Sequence, residues 1–103
     1  MRIIRENFKQ EEKKIKKHYE EQKMLDKIIN HIKQCQNYDE LKNSPISKMY
    51  GFEHLKYELN DYYGFNLCKQ GGVIRLICSI DKENNSVKLE FISKKHYKDL
   101  KKR

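Results

Sequence analysis

The strongest constraint on this chain is a change of hydrophobic period along it. Met24, Leu25, Ile28, Ile29 and Ile32 recur in steps of three and four, and Cys35 extends the same stripe. An α-helix gathers such positions on one face, so the spacing predicts an amphipathic helix over residues 22–36. Phe8, Ile15 and Tyr19 recur more sparsely among Lys and Glu and predict a first helix over residues 7–20. After Gly51 the period falls to two. Tyr63, Phe65 and Leu67 alternate with Tyr62, Gly64 and Asn66; Ile74, Leu76, Cys78 and Ile80 alternate with Val73, Arg75, Ile77 and Ser79; Val87, Leu89 and Phe91 alternate with Lys88 and Glu90. Alternation puts one set of side chains on each face of a strand, so three successive strands are expected.

The connections suit an antiparallel meander. Lys69-Gln70-Gly71-Gly72 and Lys82-Glu83-Asn84-Asn85 carry hairpin turn chemistry. The apolar pair between Arg2 and Arg5 reads as an edge strand, while residues 37–51, with the sole proline Pro45, read as turn or loop. Helices first and strands second imply an α+β fold in which an N-terminal helical hairpin packs on one face of an antiparallel β-sheet. With 103 residues, 37% of them hydrophobic, the chain furnishes one small core, so one domain over 1–103 is expected.

Charge narrows the partner. Lys and Arg number 23 against 15 Asp and Glu, a formal +8, which favours a polyanion or an acidic protein. A solvated lysine-rich surface would carry the same excess, but seven Tyr and four Phe accompany it, and aromatic rings stack on bases. Three cysteines without CxxC spacing argue against a disulfide framework and a zinc ribbon, and fit a reducing cytoplasmic setting. No apolar run approaches the ~20 residues that span a bilayer, so no membrane partner is expected.

Arg75 interrupts an apolar strand. If Ile74, Leu76, Cys78 and Ile80 face the helices, period two places Arg75 on the opposite, uncovered face, where its planar fork can hold a phosphate and stabilise growing charge. A structural ion pair with Glu90 is the plainer alternative. Glu53, in Gly51-Phe52-Glu53-His54-Leu55-Lys56, is a candidate general base, and Lys56 a candidate phosphate contact; the plainer reading is an exposed loop acid and a solvated lysine. His96 and Tyr97 follow the last strand, and such a pair can exchange protons and stack on a base, although a histidine near a terminus is more often plain surface. The lysine-rich residues 94–103 read as a short helix or a solvated tail.

Together these residues resemble a family. Leu55-Lys56-Tyr57-Glu58-Leu59-Asn60-Asp61-Tyr62-Tyr63-Gly64-Phe65, then Ile74-Arg75-Leu76-Ile77, then His96-Tyr97, resemble the pattern PLK-x-x-L-x-G-x-(W/Y)-S, (Y/H)-R-L-(I/V)-(Y/F), HY of RelE-superfamily toxins, in their YoeB-like branch. Asp61 stands where that pattern has glycine, the hairpin before Arg75 and the loop before Glu53 are longer, and six residues follow Tyr97. The resemblance implies a RelE-like fold and the toxin of a type II toxin–antitoxin system. Its implied activity is ribosome-dependent cleavage of mRNA in the ribosomal A site, without metal or other cofactor. It implies catalytic roles for Glu53, Arg75, His96 and Tyr97, RNA contacts from Lys56, Lys94 and Lys95, and a cognate antitoxin as protein partner. A ParE-like toxin that poisons gyrase, and a non-catalytic RNA- or ribosome-binding module, remain open beside it.

Overall fold

The computed structural model describes residues 1–68 and 73–94. The predicted stripe forms the longest helix, α2 (Tyr19–Gln34), with Leu25, Ile28, Ile29 and Ile32 buried and Cys35 buried at its C-terminal cap. Full burial of an aliphatic side chain stabilises a fold by about 1.5–3 kcal/mol, so this stripe is a large share of what holds α2 in place. Glu20 and Glu21 in its first turn and His31 and Lys33 in its last complement the helix dipole.

The other arm of the expected hairpin is much shorter than predicted. Phe8 and Ile15 are core residues, but only α1 (Lys9–Glu12) and a 3₁₀ turn (Lys13–Ile15) form between them, and the chain turns again before α2. Two apolar anchors cannot hold a long helix, and Lys13, Lys16 and Lys17 would repel one another as helical neighbours. Asn7, at φ 62°, stops helical backbone from extending further toward the N-terminus. Tyr19 opens α2 and is exposed instead of closing a first helix.

Residues 37–51, expected to be irregular, hold two short helices, α3 (Tyr38–Asn43) and α4 (Pro45–Met49). The Asn37 side chain accepts from the Glu40 N–H, and the Ser44 hydroxyl accepts from the N–H groups of Ile46 and Ser47, with Pro45 in the first turn. Both are N-cap signals that a period-based reading passes over because neither helix is long enough to show a period. His31 Nε2 lies 2.9 Å from Ser47 Oγ and joins α2 to α4. Burial holds His31 below its ordinary value of 6.5, against the opposing pull of Glu40. The unfolded chain therefore binds this proton more readily, so His31 should leave stability intact above 6.5 and erode it as pH falls from 6.5 through the lowered folded-state value. Melting curves of wild type and His31→Gln across that window should converge in slope if another group, not His31, causes the acid sensitivity.

Among the described residues five strands, β1 (Arg2–Ile4), β2 (Glu53–His54), β3 (Tyr63–Asn66), β4 (Arg75–Asp81) and β5 (Ser86–Ser93), form one sheet in the order β1-β5-β4-β3-β2. The meander β3-β4-β5 is antiparallel as expected, with Arg75 on its middle strand. The edge strand β1 pairs parallel to β5, so the sheet is mixed rather than purely antiparallel. That direction carries the chain toward the Ile92 end of β5, where α1 docks. There Glu11 accepts from the Ile92 N–H at 3.0 Å, and Lys14 Nζ donates to the Ile92 carbonyl at 3.2 Å. The pair supplies the hydrogen bonds that β1, only three residues long, does not reach to make.

Tyr63, Phe65, Leu67, Leu76, Cys78, Val87, Leu89 and Ile92 pack with α2, Phe8 and Ile15 in the main core. The period-two assignment of β3 and β4 thus holds, and that of β5 fails at one point. Ile77 pairs with Phe91 but Cys78 with Leu89, leaving Glu90 as an extra residue. This bulge turns Phe91 away from Val87 and Leu89 onto the opposite face and brings Ile92 inward.

Candidate active site

The face of the sheet turned away from the helices was expected to be uncovered; half of it is not. Leu55 and Leu59 fold back over it and bury Ile77 and Phe91 in a second, smaller cluster, with Tyr62 packed against it. The covering segment is a 3₁₀ turn (Tyr57–Leu59), closed by hydrogen bonds from the Leu55 N–H to the Tyr62 carbonyl and from the Tyr62 N–H to the Leu59 carbonyl. Tyr62 meets Phe91 edge to face at 5.9 Å. The tyrosine ring thus closes one side of a small apolar patch beside the polar rows.

Those rows follow from the strand register. Glu53 lies opposite Gly64, Gly64 opposite Ile77, and Ile77 opposite Phe91. One step along the same face, Asn66 lies opposite Arg75 and Arg75 opposite Ser93. Directly paired residues share a face, so Glu53 and Arg75, 22 positions apart in sequence, project from the same side of the sheet. Strand spacing and rise place their Cα atoms about 12 Å apart, which leaves room for a phosphodiester between two long side chains. The bulge at Glu90 matters here, because it sets Phe91 and Ser93 on Arg75's face. Glu90 itself pairs with Lys88 at 3.5 Å.

Two further elements fix the geometry. Gly51, at φ 68°, lies against Asn66: a Cβ there would meet Asn66 Nδ2 at 2.3 Å. The backbone N–H of Asn66 donates to the Tyr50 carbonyl at 2.7 Å, so the turn after α4 pins the residue that flanks Arg75. His54 Nε2 is 2.6 Å from the Asn60 carbonyl, which makes that nitrogen the donor, and its ring stacks on Tyr63 with centroids 4.4 Å apart. His54 is thereby committed to holding the loop that follows β2.

Of the residues singled out in the sequence, Glu53, Lys56 and Arg75 lie on or beside this face, with Glu53 and Lys56 exposed and Arg75 half-buried. Lys94 is exposed and follows directly after Ser93, the cross-strand partner of Arg75. Lys95, His96 and Tyr97 lie outside the described residues. Cys35 and Cys78 offer no competing chemistry: burial pushes both thiols up, and a buried protonated thiol is a poor nucleophile. The proximity of Cys35 to His31, 3.7 Å, is therefore not an activated pair. Among the described residues no group of His, Cys, Asp and Glu is arranged to hold a metal ion, and no helix is long and apolar enough to cross a membrane.

Sequence reasoning passed over Ser93, Asn66 and Tyr57. Asn66 and Ser93 join the site only through register. Tyr57 joins it through the turn that Leu55 and Leu59 close over the sheet, a backbone conformation with no sequence signature.

No family model matches the sequence, and a search of curated proteins finds no match either. Among solved structures, a chain from the heterotetrameric complex of the YoeB–YefM toxin–antitoxin from Staphylococcus aureus is similar, with a TM-score of 0.53 and 22% identity. The match covers 94% of this chain and 98% of that one. The protein therefore has a YoeB-like α+β fold.

Proposed function

Starting from that fold, we propose that the chain is the toxin of a type II toxin–antitoxin pair and that it cleaves mRNA in the ribosomal A site. The observation that carries the reading is the register that brings Glu53 and Arg75 to one face of the sheet, in adjacent rows, with Lys56 at its margin. An acid and a guanidinium facing a common space are what in-line phosphodiester cleavage by an RNA 2′-hydroxyl requires.

In this reading the 2′-oxygen bonds to the adjacent phosphorus while the bond from phosphorus to the 5′-oxygen breaks. Glu53 or His96 takes the 2′-hydroxyl proton. Arg75, with Lys56 and the lysines at 94 and 95, stabilises the charge on the phosphorane oxygens. An acid gives its proton to the leaving 5′-oxygen, a part open to His96 where Glu53 is the base, and Tyr97 hydrogen-bonds or stacks beside it. The products are a 5′-hydroxyl and a 2′,3′-cyclic phosphate, or the 3′ phosphate that water forms from it. The solved neighbour was crystallised with an antitoxin, and a +8 chain suits an acidic antitoxin that covers the Arg75 face.

Induced expression followed by mapping of RNA 5′ ends tests the reading. New 5′-hydroxyl ends within translated messages are expected. Intact messages with cleaved chromosomal DNA would replace it by gyrase poisoning, and arrest with neither lesion would replace it by binding alone.

A further inference from the structure

Tyr57 is the most exposed large hydrophobic residue of the described chain, at 90%. It is also held at φ 58°, in the left-handed region that a bulky side chain rarely occupies. The other two non-glycine residues with positive φ among the described residues, Asn7 and Asn85, are asparagines, which tolerate that conformation well. A backbone requirement at position 57 would thus be met by Asn or Gly, and burial does not account for a side chain that is nine-tenths exposed. Strain of this kind persists only where the surroundings enforce it. Here they do: Leu55 and Leu59 are buried on Ile77 and Phe91, the Asn60 N–H donates to the Tyr57 carbonyl, and His54 holds Asn60 from the other side. The loop is a mount anchored at both ends, and what it presents outward is Lys56, Tyr57 and Glu58.

The mount stands at the candidate active site. Its anchors rest on the row that contains Glu53, and Tyr57 follows Glu53 by four residues, within about 14 Å of chain. From this we propose that Tyr57 is a stacking platform for a nucleobase of the RNA substrate next to the scissile phosphate, with Lys56 on the adjoining backbone phosphate. The inference rests on the RNA-cleavage reading and adds to it a substrate subsite. An aromatic ring on a preorganised loop binds any base through its face, so the subsite contributes affinity and placement with little sequence selectivity.

The test uses the full chain and a single-stranded oligoribonucleotide of mixed sequence, 2′-O-methylated throughout so that it cannot be cut. The chain contains no tryptophan, so Tyr57→Trp installs a single indole that can be excited apart from the remaining tyrosines; it should bind at least as tightly as wild type, with its emission quenched on titration. Tyr57→Asn should keep or raise the melting temperature, because it relieves strain, yet weaken binding about 10-fold, the loss of roughly 1.4 kcal/mol of stacking. That factor should persist across salt concentrations, whereas Lys56→Ala should lower the salt slope by about one counterion. Unquenched emission, or wild-type affinity in Tyr57→Asn while wild type binds RNA, would overturn the platform and leave the cleavage reading standing. No binding of the oligoribonucleotide by wild type would overturn the platform, and no cleavage of mRNA on programmed ribosomes would overturn both. Loss of binding to a copurifying protein with RNA affinity unchanged would assign the ring to a protein contact instead.

Discussion

Arg75→Ala is expected to lower the rate of RNA cleavage by at least 10²–10³-fold, about 2.7–4 kcal/mol of transition-state stabilisation, the loss typical when a positioned donor is removed from developing oxyanion charge. The effect should fall on kcat and kcat/KM alike, because in the proposed reaction the charge that Arg75 meets grows only as the phosphorane forms. Stability should change much less. Arg75 faces away from the main core, and its neighbours Leu76 and Cys78, fully buried on the other face, keep the strand in register. Arg75→Lys should recover part of the rate and not all of it, since an ammonium keeps the charge but loses the two-pronged geometry. Growth arrest and single-turnover cleavage on programmed ribosomes, measured beside a thermal melt, separate the two effects. Full activity in the alanine variant would remove Arg75 from the chemistry and leave the fold as the only shared feature.

Ile29→Asp carries the largest expected effect on stability. Ile29 is 3% exposed in α2, among Leu25, Ile28 and Ile32. An aspartate there loses the transfer energy of the aliphatic chain and places a carboxylate without a partner in an apolar core, together at least about 3–5 kcal/mol. A domain of this size holds about 5–15 kcal/mol in total, so the variant should melt roughly 15 °C lower or fail to fold. Asn30→Asp, the same charge one residue along on an exposed position, should be close to neutral. Equal melting temperatures for the two variants would show that the α2 stripe is not the helix's buried face.

Much of this architecture can be read from consecutive residues. The stripe from Met24 to Cys35, the alternation through β3 and β4, and the separation of Arg75 from Leu76 and Cys78 are local periodicities. They survive into the structure because burying one face of a helix or strand is a strong, short-range demand. The candidate residues Glu53, Lys56 and Arg75 were legible as chemical types at particular spacings. Their convergence was not, because it depends on β2 pairing with β3 and β3 with β4, hydrogen bonds between segments that no local window contains. One extra residue at Glu90 is invisible to a period-two pattern, yet it moves Phe91 and Ser93 to the other side of the sheet. The parallel course of β1 follows from where α1 can dock on β5, and the caps at Asn37 and Ser44 act over too few residues to leave a period. Nothing in the string Leu55-Lys56-Tyr57-Glu58-Leu59 announces that both leucines turn back onto Ile77 and Phe91. That choice belongs to the tertiary structure: the bulged sheet exposes an apolar patch, burying it is worth more than the strain at Tyr57, and the ring is left standing in solvent.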